Sequence, residues 1–469
     1  MSTRKVTRFG TVFTVVTLAS LGATSAANAD TQSGFNAPDK NHSVSLTVHK
    51  HEGNEKLDKY TGQQQQPQGK AIAGVTFTVQ EAGFLDGSEC KSVDLALPAS
   101  WEKMKIAKAK PDSVCLLNAP VSMETNEAGI AEFKQLSQKL YKVTETAGGK
   151  NLIKTPSAPF LVTLPMPVDP NKWVYDVHAY PKNVLTELDD FTKKAADPAD
   201  EKGTKKFVPG ALITWTIDAT IPKVAFDYTE VTMTDTVPAG LQFKAVKSVK
   251  LNAELLTSTE YTATDGKIVL TEKGLAKLNP AAKKNDVKVT VELDTTVTDA
   301  ILDGKTTNKV QLSLNGKTKE ANGDTYWGSI QLTKQDKDAP NTKLSDAVFS
   351  IYEGKCEANG AVVAENLKTD QQGVFKQKLY IGNKEDATKD YCLKETAAPA
   401  GYILDSTGID FTLSVANDQF TKNVTFDNVK VTGPHLPLTG AQGTALLTGA
   451  GILLLAVGAG TVYHARRRS

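Results

Sequence analysis

Arginine is nearly missing from this chain of 469 residues: it occurs only at the two ends, and the basic charge between them is carried by lysine. The formal net charge is +1, so no charge excess points to nucleic acid or an anionic membrane surface as a partner. Histidine is scarce, with 6 residues and no HExxH spacing, and no glycine loop of the phosphate-cradling kind is present. The paired aspartates near Asp336 and Asp338 lack EF-hand spacing. These absences exclude the common metal, nucleotide and hydrolase chemistries, and no cofactor or metal site is expected. There are 4 cysteines, Cys90, Cys115, Cys356 and Cys392, none in a nucleophile context. In an exported chain an even count favours disulfides. Of the three pairings open to four cysteines, the clustering favours Cys90–Cys115 and Cys356–Cys392.

Long apolar runs are confined to the ends. Near the start, Arg4, Lys5 and Arg8 precede an apolar core from Val12 to Leu21 and a small-residue site, Ala27-Asn28-Ala29. This is the pattern of a secretory signal peptide over residues 1–29, cleaved between Ala29 and Asp30. Near the end, Leu436-Pro437-Leu438-Thr439-Gly440 is followed by an uncharged apolar stretch, Ala445 to Val462, and by Arg466-Arg467-Arg468. Pro437 cannot join a helix and keeps its segment extended. The stretch is near the roughly 18 residues that cross a bilayer, and the arginines would stay on the cytoplasmic side. The chain is therefore expected to leave the cell and remain attached to its surface.

Between the ends the pattern is that of strands. Ser43 to Val48, Ala211 to Ile217 and Val287 to Leu293 alternate apolar and polar residues and are rich in Val and Thr. Such runs, bounded by Gly, Pro, Asn and Asp, predict antiparallel sandwiches. Short helices are predicted from Ser100 to Lys110, with Ser100 as N-cap, and from Glu272 to Leu278; the Gln-rich stretch Gln63 to Lys70 reads as a loop. Length alone suits about three domains. An internal repeat divides them. Leu46 to Gly53 and Leu332 to Asp336 each open a segment, and Ala73 to Val79 and Asp346 to Ile351 supply each second strand. Tyr141-Lys142-Val143-Thr144-Glu145-Thr146-Ala147 and Tyr391-Cys392-Leu393-Lys394-Glu395-Thr396-Ala397 follow, and an Asn closes each, Asn183 and Asn428. The expected plan is 30–183, 184–325, 326–432 and a terminal sorting segment, 433–469, giving a mainly β chain of three tandem sandwiches.

These motifs carry a resemblance. The 436–440 pentapeptide, apolar span and basic tail resemble the LPxTG sorting signal of Gram-positive surface proteins, which implies cleavage between Thr439 and Gly440 by sortase, a cysteine transpeptidase. The last segment is similar to the CnaB-type immunoglobulin-like domain: Lys334, then Glu395-Thr396-Ala397-Ala398-Pro399-Ala400-Gly401-Tyr402, then Asn428. That family joins a Lys amine to an Asn side chain in an isopeptide bond, aided by a buried carboxyl. Burial keeps an amine neutral enough to attack, and a buried carboxylic acid can relay protons while ammonia leaves. The resemblance implies Lys334, Glu395 and Asn428 in the last domain, and Lys50, Glu145 and Asn183 in the first, where His51-Glu52 replaces Gln-Asp and the Pro-x-Gly-Tyr extension is missing. The middle segment resembles the CnaA-like domain of shaft pilins, implying Lys193, Asp235 and Asn308. Lys194 is an alternative to Lys193 because strand register is open, and Asp235 could instead serve the Pro238-Ala239-Gly240 turn.

Trp173, Val177, Tyr180, Pro181 and Lys182 resemble the pilin motif WxxxVxVYPK, with Ala179 where Val is usual. In that family the motif lysine attacks the bond between sortase and the Thr of another subunit. The resemblance therefore implies an exposed Lys182 joined to Thr439 of the next subunit. The whole chain resembles a sortase-assembled Gram-positive major (shaft) pilin of the Spa or fimbrillin kind. The implied partners are pilin-specific and housekeeping sortases, other copies of the chain, minor tip and base pilins, and peptidoglycan; an adhesive role would add host-cell receptors. The resemblance implies no enzyme, only self-catalysed crosslinks. A wall-anchored adhesin or basal pilin with the same domain types stays open as the alternative.

Overall fold

The structure is a computed structural model that describes residues 35–53, 61–109, 111–169 and 172–433. The export signal, the Ala29/Asp30 junction, the 436–440 motif and the apolar span lie outside the described residues. Among the described residues no helix is long and apolar enough to cross a membrane.

The first body segment packs short parallel and antiparallel strands against a five-stranded sheet. Val44–His49 pairs in parallel with Asp176–Ala179 and antiparallel to Ile130–Leu136. Its alternation buries Val44, Leu46 and Val48. Across the core, Thr76–Asp86 and Lys139–Ala147 pair antiparallel and bury Phe77, Val79 and Val143. Each such side chain contributes about 1.5–3 kcal/mol by leaving water. A satellite cluster of Ala82, Val93, Leu95, Met104 and Leu140 sits under the helix Pro98–Ala109. That helix begins before Ser100, so Ser100 is not its cap. Proline at the first helical position has a suitable φ and lacks only an N–H that would have no partner.

The middle segment is a sandwich of two antiparallel sheets. Leu212–Ile221 buries every second residue, Ile213, Trp215, Ile217, Ala219 and Ile221, between Phe191–Ala195 and Val287–Val297. The facing sheet contains Val231–Thr236, Gly304–Leu314 and the start of Lys317–Asp336. The helix Glu272–Ala282 runs past the expected end at Leu278 and carries Pro280 in its last turns. Thr271 caps it, the side-chain oxygen accepting from the Gly274 N–H.

One strand ties the middle to the last segment. Lys317–Asp336 runs for 20 residues, roughly 65 Å at strand rise. Its first half pairs with Gly304–Leu314; its second half pairs with Val374–Gly382 and, in parallel, with Thr421–Asn428. The expected division between residues 325 and 326 thus falls inside a continuous strand. The junction is buried: Tyr326 and Trp327 are both inside, the Trp327 ring packs on Tyr380 and that on Phe207, the Tyr380 hydroxyl donates to Asp197 at 3.1 Å, and Asn383 donates to the Ala195 carbonyl at 2.9 Å.

Gly328 sits at this junction, where a Cβ would lie 2.3 Å from the Phe420 carbonyl oxygen. Gly328→Val is expected to cost about 1–3 kcal/mol by overpacking and to lower the melting temperature of the middle and last segments together. Scanning calorimetry checks this; an unchanged midpoint would contradict the shared strand.

Candidate functional site

The last segment holds the first constellation. Lys334 follows the alternation of its strand inward and is fully buried, its amine 4.3 Å from the centre of the Phe426 ring and 5.9 Å from that of Phe349. In the parallel ladder Lys334 lies opposite Phe426, so Asn428, two residues on, shares its face. Glu395 comes from the facing sheet, paired with Phe349. Its Oε1 is 3.3 Å from the Lys334 amine, and its Oε2 accepts from Asn428 Nδ2 at 2.9 Å and from the Asp405 N–H at 3.0 Å. The Lys334 amine, Glu395 Oε1 and Asn428 Oδ1 make no well-formed hydrogen bond among the described residues. Burial lowers the lysine pKa, opposed by the Glu395 charge. Tyr402 donates its hydroxyl to Asp336 at 2.8 Å, tying the Pro-Ala-Gly-Tyr loop to the start of the site.

The first segment repeats this plan. Val48 pairs with Ala179 and His51 with Lys182 in parallel ladders, which sets Lys50 level with Pro181 and again puts the Asn two residues further on, at Asn183. Glu145 is paired with Phe77, and the Lys50 amine lies 5.5 Å from that ring. Here every contact is made. Lys50 donates to Glu145 Oε2 at 2.9 Å and to Asn183 Oδ1 at 2.5 Å, and Asn183 Nδ2 donates to Glu145 Oε1 at 2.6 Å. Ser157 adds two donors to the carboxylate, its N–H at 3.1 Å and its hydroxyl at 2.7 Å. Desolvation pushes Lys50 down to about 8 against the pull of Glu145. The missing Pro-x-Gly-Tyr extension is therefore no bar to the geometry.

In the middle segment the alternation of Phe191–Ala195 turns Lys193 inward and Lys194 to solvent. Lys193 is in direct contact with the Asp235 carboxylate and lies 5.0 Å from the centre of the Trp215 ring. Asp235 is a buried strand residue, not a turn residue, and pairs with Val310. Asn308, two residues before Val310, is fully buried and faces the same interior. Opposite Asn308 stands Gly323, where a Cβ would lie 2.7 Å from the Trp215 ring and 3.2 Å from the Lys193 side chain. Glycine is what lets lysine and indole reach the amide. Burial lowers Lys193 to about 8 and raises Asp235, each opposed by the other's charge. The Asn308 amide lies near enough to lower the carboxyl slightly, yet it makes no well-formed hydrogen bond among the described residues. A buried amide left in this condition is costly.

The lysine next to Asn183 is different. Lys182 and Asn183 are adjacent on one strand, so one faces outward when the other faces the core. Lys182 is half-buried, less exposed than expected, because its stem lies over Gly53, whose φ of +144° and missing side chain make room for it. Pro181 interrupts the strand just before it. The rest of the motif anchors this strand: Val177 is in the core, Trp173 donates its indole N–H to the Asn36 carbonyl at 3.1 Å, and the Tyr180 hydroxyl donates to the Gln65 carbonyl at 3.1 Å. Three histidines that look scattered in sequence gather here. His49 Nε2 is 2.8 Å from His178 Nδ1, the His49 ring stacks on Tyr180, and His51 is buried beside Lys182. Disulfides join Cys90 to Cys115 and Cys356 to Cys392.

Three parts of the chain match known families: residues 41–184 the N-terminal domain of Gram-positive pilin subunit D1, residues 328–430 a prealbumin-like fold domain, and residues 428–469 the LPXTG cell wall anchor motif. The chain is 30% identical to fimbrial subunit type 1 of Actinomyces viscosus, over 94% of each chain. It is 29% identical to fimbrial subunit type 2 of Actinomyces naeslundii, over 97% of this chain and 95% of the relative. Among solved structures it is similar to the full-length major pilin SpaD of Corynebacterium diphtheriae, at 24% identity and a TM-score of 0.46, over 84% of this chain and 99% of that one.

The buried lysines make pH a readout. Asn308→Ala removes the amide that Lys193 would displace and leaves the amine titratable. Its folded pKa, about 8, lies below the ordinary 10.5, so between these values the unfolded chain binds more protons. Stability of that variant should therefore rise with pH from about 8 towards 10, by at most roughly 1.4 kcal/mol per unit. Guanidinium denaturation across this range measures it; stability that is flat or falls would contradict a buried Lys193 amine.

Proposed function

This chain belongs to the Gram-positive fimbrial subunits, and on that premise we propose that it is the shaft subunit of a covalent pilus polymerised by sortase. It is a cell-surface protein with a cell-wall anchor motif. The observation that carries the reading is the division of labour among its lysines. Lys50, Lys193 and Lys334 are each buried against a carboxyl, with a buried asparagine in the same interior, whereas Lys182 sits on the next strand position to Asn183 and lines a surface groove. The first three are read as nucleophiles toward Asn183, Asn308 and Asn428 of their own chain. In each, the amine nitrogen forms a bond to the asparagine Cγ, the Cγ–Nδ2 bond breaks, and Glu145, Asp235 or Glu395 passes protons from the amine to the departing ammonia. Fixed proximity takes the place of an external catalyst.

Lys182 is read as the nucleophile toward the next copy. A sortase would cut between Thr439 and Gly440, hold Thr439 as a thioester and release it to the Lys182 amine of another subunit. Amine and acyl donor are different groups of the chain, so the contact between copies is heterologous and, where it does not close, gives a filament. The final subunit would pass to peptidoglycan, and minor pilins would occupy tip and base. The chain is then a sortase substrate with self-made crosslinks and no turnover. A bond from Lys334 to Asn428 would enclose about 95 residues and, by analogy with a disulfide, contribute ~4–5 kcal/mol of chain-entropy stabilisation.

Incubation of the mature chain with its polymerising sortase is expected to give a ladder of very large species, absent with Lys182→Ala and with residues 436–440 deleted. Ladder formation by the Lys182→Ala variant would overturn the assignment of this lysine. A single wall-linked band from the native chain would return it to the adhesin or basal pilins.

A further inference from the structure

We propose that His51 is the proton acceptor for Lys182 in the polymerising reaction, an inference that rests on the reading of Lys182 given above. The two residues are register partners on parallel strands, His51–Glu52 and Lys182–Leu185, and both line one narrow groove, with Gln65, Gln66, Pro67 and Tyr180 on its other walls. The groove has about 10 Å³ of room, enough for one water molecule. His51 is 7% exposed, and its Nδ1 is buried without a hydrogen-bond partner among the described residues. A buried ring nitrogen without a partner is costly to keep, and here it belongs to a ring that shares its groove with Lys182, a lysine with no carboxylate ion-pair partner among the described residues.

The need is chemical. An ammonium nitrogen has no lone pair and cannot attack until it loses a proton. Each buried lysine has its own carboxyl for this: Glu145, Asp235 or Glu395. For Lys182 the structure offers an imidazole instead. Among the described residues, the groups that face His51 are Lys182 from the neighbouring strand, His49 two residues upstream, itself paired with His178, and neutral glutamines from the 61–71 segment. Burial holds His51 below its ordinary range, and the Lys182 charge adds to this against a backbone hydrogen bond at His49. A neutral acceptor is therefore available at neutral pH.

The step balances as follows. One proton passes from the Lys182 ammonium to His51, directly or through one water. The freed lone pair attacks the Thr439 thioester carbon, a C–N bond forms and the C–S bond to the sortase cysteine breaks. The second proton lost by the nitrogen neutralises the departing thiolate, and His51 returns its proton to solvent.

The test is the initial rate of polymerisation by purified sortase for the native chain, His51→Gln and Lys182→Ala. Rates are expressed as a ratio to the native chain at each pH, so that the enzyme's own titration cancels. Ammonia loss between Lys50 and Asn183 reports that the variant has folded; should His51→Gln fail this check, His51→Asn, which keeps an acceptor where Nδ1 stands, is read in its place. The expected result is a deficit of about tenfold or more near neutral pH. It should shrink as pH climbs from about 6.5 to about 9.5, towards the range where lysine loses its proton unaided. No deficit, or one that is the same at every pH, would overturn the role of His51 while leaving Lys182 in place. A Lys182→Ala chain that still polymerises would overturn the reading beneath it.

Discussion

A lysine amine carried into the interior of a β-sandwich is destabilising by several kcal/mol unless it is paired or neutral, and among the described residues this happens three times. The surroundings of Lys50, Lys193 and Lys334 are arranged around that constraint. Aromatic rings, Phe77, Trp215 and the pair Phe349 and Phe426, supply a polarisable wall that keeps water away. A single carboxyl enters from the facing or neighbouring strand. A buried asparagine completes each set, the electrophile of the proposed crosslink. Removing any one partner would leave an uncompensated charge or an orphaned amide in a dry core, so the three groups make sense only together. Exchange of an amide nitrogen for the lysine nitrogen removes the charge, the unpaired amide and the cost of both.

The same arrangement has a mechanical consequence. In the first and last segments lysine and asparagine lie on adjacent parallel strands, offset by two residues. Parallel neighbours pulled from opposite ends would otherwise separate by shearing their ladder of hydrogen bonds. A covalent bridge across the pair, as proposed above, would take that load. In the middle segment the lysine strand and the asparagine strand belong to facing sheets, so a bridge there would hold the sandwich closed. The long strand Lys317–Asp336 passes the load on to the last segment without a loop between them, and the Tyr380, Phe207 and Trp327 packing keeps the two aligned. Lys182 stands outside these cores, where its amine can meet another molecule.

Much of this was legible in the residues. Period-two alternation located the main strands and their inward faces, and the family resemblance carried by the repeat pointed to the Lys, Glu and Asn constellations, whose residue types the chemistry explains. What stayed hidden depends on contacts far apart in sequence. The inward turn of Lys193 over Lys194 needed the register of Phe191–Ala195 against Leu212–Ile221. Ser157, which feeds Glu145, lies in a Pro-Ser-Ala-Pro loop with no pattern to mark it. The boundary expected between residues 325 and 326 could not be seen to vanish, since one strand continues through it. The histidines could not be seen to gather, since His49 and His178 are brought together only by a parallel pairing across 129 positions.

The most direct test of the central claim is the intact mass of the mature body with mapping of linked peptides, before and after reduction. The account predicts the loss of three molecules of ammonia, in links between Lys50 and Asn183, Lys193 and Asn308, and Lys334 and Asn428, with Lys182 free. A correctly folded chain with no ammonia lost, or with Lys182 tied to a residue of its own chain, would contradict it.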